Sequence, residues 1–411
     1  MTDSRLLAET VFREQSGRII AALIRISGSF DRAEEAMQEA FTAALASWPE
    51  NGIPANPAAW ITTTAHRKLI DAGRRDRTRR EKQDSLRYQI ESGASGDTQP
   101  DEEFMHFPDD RLRLIFTCCH PALNREAQIA LTLRTLGGLS THEIAKAFLI
   151  PEATLAQRLV RAKHKIQEAR IPYEVPPAER LGERLASVQA VIYLIFNEGY
   201  AATSGDGLIR EDLCAEAIRL GRVLCELLRD EPENFGLLAL MLLQNSRRAA
   251  RVVNGGLVTL EDQDRSLWDR DAIAEGLGLL DKALSMQQPG PYQVQAAIAA
   301  LHAQANAPED TDWTQIARLY ENLYEWNPSP VIALNHAVAI AMSSGPEEGL
   351  QRMTSLANSL DQYYLFHAAR ADLLRRLDRR AEAAEAYRRA VELAKNPIER
   401  DFLLRRLQQL A

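Results

Sequence analysis

Three consecutive segments decide the fold: STHEIAKAF at 140–148, LIP at 149–151 and EATLAQRLVRAKHKIQE at 152–168. The first predicts a short helix that begins after a Ser or Thr cap, because these side chains accept hydrogen bonds from the first N–H groups of a helix. The second contains proline and predicts a turn. The third predicts a longer helix, so the whole stretch has the order of a helix-turn-helix.

The longer helix has two different faces. Its apolar residues recur at helical spacing and are expected to pack inward: Leu155, Leu159, Ala162 and Ile166. The opposite face carries polar and basic residues, namely Thr154, Gln157, Arg158, Arg161 and Lys165. Gln and Arg make paired hydrogen bonds to base edges, and Arg and Lys neutralise phosphates. This surface favours DNA binding in the major groove, and a pair of core helices with a solvated face is the alternative.

Composition and charge limit what the rest of the chain does. Hydrophobic residues make up 45% of the 411 residues and charged residues 26%, which is typical of a globular protein, while aromatic residues reach only 6%. Abundant Ala, Leu, Arg and Glu favour helices over strands, so we expect an all-α fold. The net charge of −8 excludes a uniformly basic nucleic-acid coat protein, but it is compatible with locally concentrated basic residues.

Breaks in the sequence pattern divide the chain into four parts. Residues 1–82 have the pattern of amphipathic helices, and residues 83–108 have the Gly, Ser, Thr and acidic composition of a linker. Residues 109–171 contain the helix-turn-helix. Residues 172–411 form the fourth part. The proline-containing segment at 171–177 is predicted to be a second linker without strong core residues, and residues 178–411 are one long helical region.

The first part contains a helix start and a basic run. Asp31 predicts a helix N-cap, with Glu34 three residues later as its partner in a capping box. Further along, Trp60 precedes a helix with basic residues that include Arg67, Lys68, Arg74 and Arg75. An aromatic ring in this position stacks on an exposed base while the cations follow the backbone. A core tryptophan beside a solvated basic face is the other interpretation.

The C-terminal region carries a weak internal repeat. Ala383, Tyr387 and Ala390 have the spacing of the second helix of a tetratricopeptide (TPR) repeat, and Tyr320 and Pro328 match its aromatic residue and its terminal proline. The two tyrosines are 67 residues apart, which is close to two repeats of about 34 residues. We therefore predict a TPR-like helical solenoid, with a generic all-α domain as the alternative.

Motifs for catalysis and for metal binding are missing from the sequence. It has neither a Gly-rich phosphate loop nor a nucleophile elbow, so we expect no enzymatic activity and no cofactor. The His-Glu pair at 142–143 starts like a zinc-protease helix, but position 146 is Lys instead of His. The Cys-Cys-His run at 118–120 has no second ligand cluster nearby in sequence, so we expect structural cysteines and no metal site.

The expected location is the cytoplasm. The N-terminus lacks the basic and apolar segments of a signal peptide, and no apolar stretch is long enough to cross a bilayer. Four cysteines are too few for a disulfide scaffold, which favours a reducing compartment.

Several segments together resemble one known family. Region 2 of the bacterial extracytoplasmic-function (ECF) sigma factors is similar to DRAEEAMQEAF at 31–41, Trp48, PAAWI at 57–61 and DAGRR at 71–75. Residues 109–170 resemble region 4 of the same family. The tail resembles the subgroup that carries a long TPR-like C-terminal extension, through LIFNEGY at 194–200 and PGPY at 289–292. The order of region 2, linker and helix-turn-helix is more specific than any single motif.

The resemblance implies a dissociable specificity subunit of RNA polymerase. The expected contacts on the core enzyme are the β′ clamp helices and the β flap. The implied core-binding residues are Asp31, Glu34, Glu35, Gln38 and Phe41. The implied residues for the melted −10 element are Trp60, Arg67, Lys68, Arg74 and Arg75. The implied residues for the −35 element are Thr154, Gln157, Arg158, Arg161 and Lys165.

Two other functions remain open on the sequence. A helix-turn-helix regulator fused to a TPR sensor would bind duplex DNA alone, but it leaves residues 31–75 unexplained. A repeat scaffold that binds RNA or acidic partners leaves the basic face of residues 154–165 without a purpose. The C-terminal extension is expected to regulate activity and to offer its repeats to a protein or peptide partner, with a stabilising appendage as the alternative.

Overall fold

The structure is a computed structural model that describes residues 2–84, 108–148, 150–201 and 208–410. Within these residues nearly all regular structure is α-helical, which confirms the predicted all-α fold. Most of the predicted linker at 83–108 lies outside the described residues.

The chain divides into two compact units, which we call unit 1 (Met1–Val191) and unit 2 (Ile192–Ala411). The helices of unit 1 are α1 (Thr2–Ser27), α2 (Phe30–Asn51), α3 (Pro57–Asp84), α4 (Pro108–Cys118), α5 (Arg125–Thr135), α6 (Thr141–Ala147), α7 (Glu152–Glu168) and the first part of α8 (Ala178–Tyr200). α1, α2 and α3 pack against one another, and α7 packs on α5 and α6. Because α1 also contacts α4 and α5, both groups of helices belong to one packed unit.

The start of α2 differs from the predicted N-cap at Asp31. Ser29 is the cap, since its side chain accepts a hydrogen bond from the backbone N–H of Arg32. Gly28, which precedes the cap, has a φ of 63°, a left-handed conformation that favours glycine. Asp31 instead lies in the first helical turn, near the positive end of the helix dipole. The prediction was wrong because two capping side chains lie close together and the turn at Gly28 selects the earlier one.

Close contacts join α1 to the later helices of unit 1. The Arg25 Nε atom lies 2.8 Å from the carboxylate of Asp110 on α4. The Tyr173 hydroxyl donates toward the backbone carbonyls of Ala21 and Asp110, at 2.9 and 3.1 Å. A Cβ atom at Gly17 would lie 2.9 Å from the carbonyl oxygen of Leu136, so glycine is what permits α1 to approach the turn after α5.

The boundary between the units lies inside α8, later than the predicted boundary at 171/172. Arg184 donates to the carbonyl of Phe116 at 2.6 Å, and the Ser187 hydroxyl donates to the carbonyl of Cys119 at 3.2 Å. These bonds hold the first half of α8 on α4. The segment at 171–177 also contributes core side chains to unit 1, Ile171 among them, so its prediction as a linker without core residues was wrong.

Unit 2 continues α8 and consists mainly of helices. They are α9 (Glu211–Leu227), α10 (Pro232–Asn245), α11 (Arg248–Arg251), α12 (Arg270–Ser285), α13 (Pro291–Gln304), α14 (Trp313–Trp326), α15 (Pro330–Ser344), α16 (Pro346–Thr354), α17 (Tyr364–Arg376), α18 (Arg380–Leu393) and α19 (Pro397–Gln408). Proline lies at the first or second position of many of them, where its missing N–H costs nothing.

The later helices of unit 2 follow a regular period. The helices α14, α16 and α18 begin at Trp313, Pro346 and Arg380, at spacings of 33 and 34 residues. Each packs on the helix before it. The period is close to the roughly 34 residues of a TPR repeat, and Ala383 and Tyr387 are buried in α18. The spacing agrees with the predicted solenoid, and the assignment to the TPR class stays a prediction.

One hairpin interrupts the helices of unit 2. The strands β1 (Val252–Val253) and β2 (Gly256–Leu257) pair in an antiparallel manner. Asn254 and Gly255 between them have φ angles of 51° and 76°, which is the conformation that Asn-Gly favours in a tight hairpin. The sequence pattern did not predict these strands because each has only two residues.

Candidate nucleic-acid interface

The helix-turn-helix begins with a capped α6. The Ser140 hydroxyl accepts a hydrogen bond from the backbone N–H of Glu143 at 3.1 Å, and the Glu143 carboxylate accepts one from the backbone N–H of Ser140 at 2.7 Å. This reciprocal pair is a capping box and fixes the start of the helix. Ser140 is thus the cap that the sequence predicted. Leu149 in the turn lies outside the described residues.

The inner face of α7 holds this helix on α5 and α6. The four residues predicted to face inward are all buried: Leu155, Leu159, Ala162 and Ile166. Leu155 is 1% exposed and packs where α7 meets α5 and α6. The inner face of α7 was therefore predicted correctly from helical spacing alone.

The outer face of α7 turns its polar and basic side chains to solvent. Thr154, Gln157, Arg161 and Lys165 are exposed. Arg158 is less open: its side chain is 30% exposed, and Nη2 lies 3.6 Å from the Glu126 carboxylate on α5. An ion pair this exposed and this long is weak and exchanges readily for a phosphate or a base. We name these five side chains the α7 outer face.

The predicted −10 residues lie on α3. Trp60 is in the first turn, half-buried, with its ring edge-on to Trp48 and 5.8 Å away from it. Arg67 and Arg74 follow at intervals of seven residues, so the three side chains lie along one face of the helix, and both arginines are exposed. Arg75 lies in α3, but its side chain is outside the described residues.

Neighbouring charged residues interact with two further side chains on α3, Lys68 and His66. The Lys68 ammonium lies 3.5 Å from the Glu39 carboxylate on α2. Burial, together with the positive charge of Arg25, lowers the pKa of His66. The His66 imidazole is therefore neutral at pH 7, and the positive charge of this part of α3 comes from arginine and lysine.

The predicted core-binding residues lie on α2. Asp31, Glu35 and Gln38 are exposed, at positions that share one side of the helix. Glu34 is on the same side, but its side chain is only 15% exposed. Phe41 is half-buried, and its ring packs edge-on against Phe12 of α1 at 5.1 Å. The geometry thus gives α2 an acidic exposed face and assigns Phe41 a packing contact.

Comparison with known proteins identifies these helices. Residues 11–80 match the family described as Sigma-70 region 2, and residues 113–166 match the family described as Sigma-70, region 4. Residues 184–284 match a family of unknown function, DUF6596. The chain belongs to the ECF sigma factors. It carries region 2 in α1 to α3, region 4 in α4 to α7, and a C-terminal extension.

One relative of this sigma factor matches most of its length, and another matches less than half. "Uncharacterized protein R00370" of Rhizobium meliloti (strain 1021) is 46% identical over 398 residues, which cover 95% of this chain and 93% of that protein. "Probable ECF RNA polymerase sigma factor SigI" of Mycobacterium tuberculosis is 25% identical over 179 residues, which cover 44% of this chain and 61% of that protein. No solved structure matches the chain.

Membership of this family decides the class of activity. Sigma-70 regions 2 and 4 belong to transcription initiation factors, which bind core RNA polymerase and promoter DNA and are not enzymes. None of the described helices is long and apolar enough to span a membrane. Among the described residues no group of three or more His, Cys, Asp and Glu is placed to hold a metal ion.

Sequence reasoning missed one residue that links regions 2 and 4 of the sigma factor. Lys163 on α7 lies between the inner and outer faces of that helix, and its ammonium reaches α2. It lies 2.7 Å from the carboxylate of Glu34 and 3.0 Å from that of Asp31, with its side chain 13% exposed. Two of the predicted core-binding carboxylates are therefore already paired within unit 1.

The adjacent cysteines of the sigma factor are structural. Cys118 and Cys119 are buried, and their sulfur atoms lie 3.2 Å from the Thr135 hydroxyl and 3.6 Å from the Thr132 hydroxyl. Burial raises the pKa of Cys119 to about 11, and it raises that of Cys118 as well. Both thiols therefore stay protonated at neutral pH and link α4 to α5.

Proposed function

We propose that this sigma factor docks on the β′ clamp helices through α2 and on the β flap through region 4. In this proposal the α7 outer face reads the −35 element, and Trp60 with the cations of α3 holds the melted −10 strand. The observation that carries the proposal is the α7 outer face. It sets exposed polar and basic side chains opposite a buried apolar face on the helix that follows the capped α6.

Reading of the −35 element follows from the chemistry of that face. Arg161 and Gln157 are both exposed and lie one helical turn apart. An arginine pairs with the O6 and N7 atoms of guanine, and a glutamine pairs with the N6 and N7 atoms of adenine. Lys165, one turn further along, supplies charge for a phosphate. The face therefore suits a recognition helix in the major groove.

The proposed contact with the melted −10 strand follows from three side chains that lie in a row along α3. Trp60, Arg67 and Arg74 are separated by seven residues each, or about 10 Å along the helix. A row of this kind follows a strand with its charges while an aromatic ring stacks on a base. The edge-on contact with Trp48 holds the Trp60 ring in a fixed orientation, which lowers the entropy that stacking would otherwise cost.

Simultaneous contact with both promoter elements requires unit 1 to open. Elements centred near −10 and −35 are about 25 base pairs apart, which is about 85 Å of B-DNA. Lys163 instead holds region 4 within hydrogen-bond distance of α2. Twenty-three residues separate Asp84 from Pro108, and a chain of this length reaches at most about 80 Å. The proposal therefore includes separation of regions 2 and 4, with loss of the Lys163 ion pairs.

The C-terminal extension is proposed to regulate this activity. Unit 2 has its own packed helices and buried core, so it is more than a tail on region 4. Its repeated helix pairs form the kind of surface that recognises proteins or peptides. Truncation after Val191 preserves the α8 contacts of unit 1 and removes unit 2. If promoter-specific transcription and polymerase affinity are both unchanged in a truncated protein that still unfolds cooperatively, regulation by the extension is wrong.

Co-purification with core RNA polymerase followed by run-off transcription tests the main proposal. We expect the full chain to bind the core enzyme and to direct initiation at a defined position on a cognate promoter. The matched control is the same assay with core enzyme alone. Specific binding of promoter DNA by the free protein, without any association with polymerase, would instead favour a helix-turn-helix regulator and would contradict the proposal.

A further inference from the structure

Unit 2 contains a half-open cavity that promoter recognition does not require. Its volume is about 750 Å³. The walls come from the end of α13, the start of α14, and from α15, α17, α18 and α19, together with the segment 259–265 that follows the hairpin. These elements are far apart in sequence, so the cavity exists only because the helical repeats curve around it.

Two ion pairs at the cavity wall join the segment after the hairpin to α17 and α19. The Arg376 guanidinium of α17 lies 2.5 Å from the carboxylate of Glu261. Arg406 of α19 lies 3.2 Å from the carboxylate of Asp262. Each pair joins residues that are more than a hundred positions apart, at separations of 115 and 144. They join the segment after the hairpin to two of the helices that line the half-open space.

Most of the wall is apolar. Apolar side chains from five different elements line the space: Leu260, Trp313, Met342, Leu373 and Phe402. A surface of this composition favours the apolar body of a ligand over water, because burial of apolar area is worth about 25 cal/mol per Å². The volume lies within the roughly 300–1,000 Å³ of small-molecule sites.

One wall residue carries a buried charge without a matching carboxylate. Arg265 is 9% exposed, and its Nη1 atom donates to the carbonyls of His302 and Ala305, at 2.7 and 2.6 Å. Its Nε atom is buried and has no hydrogen-bond partner. The Trp268 ring lies 4.6 Å from the guanidinium carbon. The carboxylates of Asp310 and Glu309 act on Arg265 electrostatically. Among the described residues, however, no carboxylate lies within ion-pair distance of Arg265, whereas Arg376 of the same wall has two.

A buried unpaired guanidinium is costly, so its presence in a cavity wall indicates a missing anion. We propose that the cavity binds a small organic anion with an apolar body, whose acid group pairs with Arg265. The planar guanidinium suits a carboxylate, sulfonate or phosphate group equally. The apolar body then lies against Trp313, Met342 and Leu373. This inference does not depend on the proposed promoter function, because all of its residues lie in unit 2.

The His302 ring limits the positive charge of the site to its arginines. It lines the cavity and packs edge-on against Trp313 at 5.1 Å. Burial, followed by the charges of Arg247 and Arg265, lowers the pKa of His302 to about 4. The ring is therefore neutral at pH 7 and adds no charge beside Arg265.

Two aromatic probes with the same body test the proposal on the full-length protein. Anilinonaphthalene sulfonate is an anion, and N-phenylnaphthylamine is its uncharged counterpart; the fluorescence of both rises in apolar sites. We expect saturable binding of one sulfonate probe per chain. Arg265→Gln should weaken sulfonate binding by roughly 10–100-fold, because a charged hydrogen bond is lost, and should change binding of the neutral probe less than about twofold.

Cavity-filling and control variants complete the test. Ala369→Trp on α17 and Met342→Trp on α15 fill the space from different sides, and either one should abolish binding of both probes. Arg380→Gln on α18 removes an exposed arginine outside the cavity and should bind like the parent. Circular dichroism and the unfolding midpoint show which variants are folded. Lack of saturable binding by the parent, binding unaffected in a folded cavity-filled variant, or equal weakening of both probes by Arg265→Gln would each overturn the proposal.

Discussion

The α7 outer face of unit 1 and the cavity wall of unit 2 both depend on arginine, but they place its charge in opposite environments. Arg161 on α7 is exposed, whereas Arg265 in the cavity wall is 9% exposed and has an unpartnered Nε atom. A solvated guanidinium costs little and is available for a phosphate or a base edge. A buried one destabilises the fold unless something pairs with it. The same residue type therefore supports the proposed nucleic-acid surface in unit 1 and the proposed anion site in the cavity of unit 2.

The largest effect expected from this comparison separates the two faces of α7. Leu155→Ala removes a side chain that is 1% exposed, so we expect a loss of about 2–5 kcal/mol in the free energy of unfolding. Val160→Ala on the same helix removes one that is 66% exposed and should change stability by less than about 0.5 kcal/mol. Urea denaturation followed by circular dichroism measures both. Similar losses in the two variants would contradict the separation of α7 into an inner and an outer face.

The second-largest effect is expected on promoter binding when the exposed Arg161 of α7 is replaced. Arg161→Ala should weaken binding of the −35 element by about 1–3 kcal/mol, because a paired contact to a base is lost. The holoenzyme's affinity for promoter fragments with and without an intact −35 element provides the measurement. Arg180→Ala on α8 removes another exposed arginine of unit 1 and is the matched control. If the two variants bind the promoter equally well, α7 is not the recognition helix.

These two predictions concern features that the sequence shows directly. The inner and outer faces of α7 follow from helical spacing within seventeen residues, so the sequence predicts them without knowledge of the fold. Regions 2 and 4, and their order, are likewise recognised from short stretches of sequence. The start of α2 was less certain because Ser29 and Asp31 both cap helices well, and the backbone at Gly28 decides between them.

Contacts between distant residues account for what the sequence did not predict. Lys163 and Glu34 are 129 positions apart, and neither helix shows in its own pattern that the two meet. The walls of the cavity range from Thr259 to Arg406, so its existence depends on how the helical repeats curve. Arg265 was not selected from the sequence because a single arginine after a short hairpin has no motif. Its burial becomes visible only with the fold.

The pH dependence of stability tests whether His302 in the cavity wall of unit 2 is buried in its neutral form. The pKa of His302 is lowered from 6.5 to about 4 in the folded chain. Between these values the unfolded chain binds a proton that the folded chain excludes, so stability falls as the pH drops through this window. From pH 7 to pH 5 the loss should be about 2 kcal/mol.

The variant His302→Phe isolates this contribution. It keeps an aromatic ring beside Trp313 and removes the titrating group, so the parent should lose about 2 kcal/mol more than the variant between pH 7 and pH 5. The subtraction is needed because burial raises the pKa of Glu399, which affects stability in the opposite direction. Denaturation midpoints at the two pH values provide the measurement. Parallel losses in parent and variant would show that His302 is not buried in its neutral form.

The smallest effect concerns Lys163, which uses its charge inside unit 1 while its neighbours on α7 face solvent. Lys163→Ala breaks ion pairs with Glu34 and Asp31, and the partial exposure of the group limits the cost to about 1 kcal/mol. In the proposed function core polymerase binds the same carboxylates, so the variant should bind core enzyme about fivefold more tightly. Raising the salt should reduce the difference from the parent, since the interaction is electrostatic.

Lys165→Ala, two residues along the same helix, removes an exposed lysine and should leave the affinity for core enzyme unchanged. Equal affinities of the Lys163 variant and the parent would mean that α2 and region 4 do not compete for these carboxylates. In that case the polymerase contact lies elsewhere on region 2.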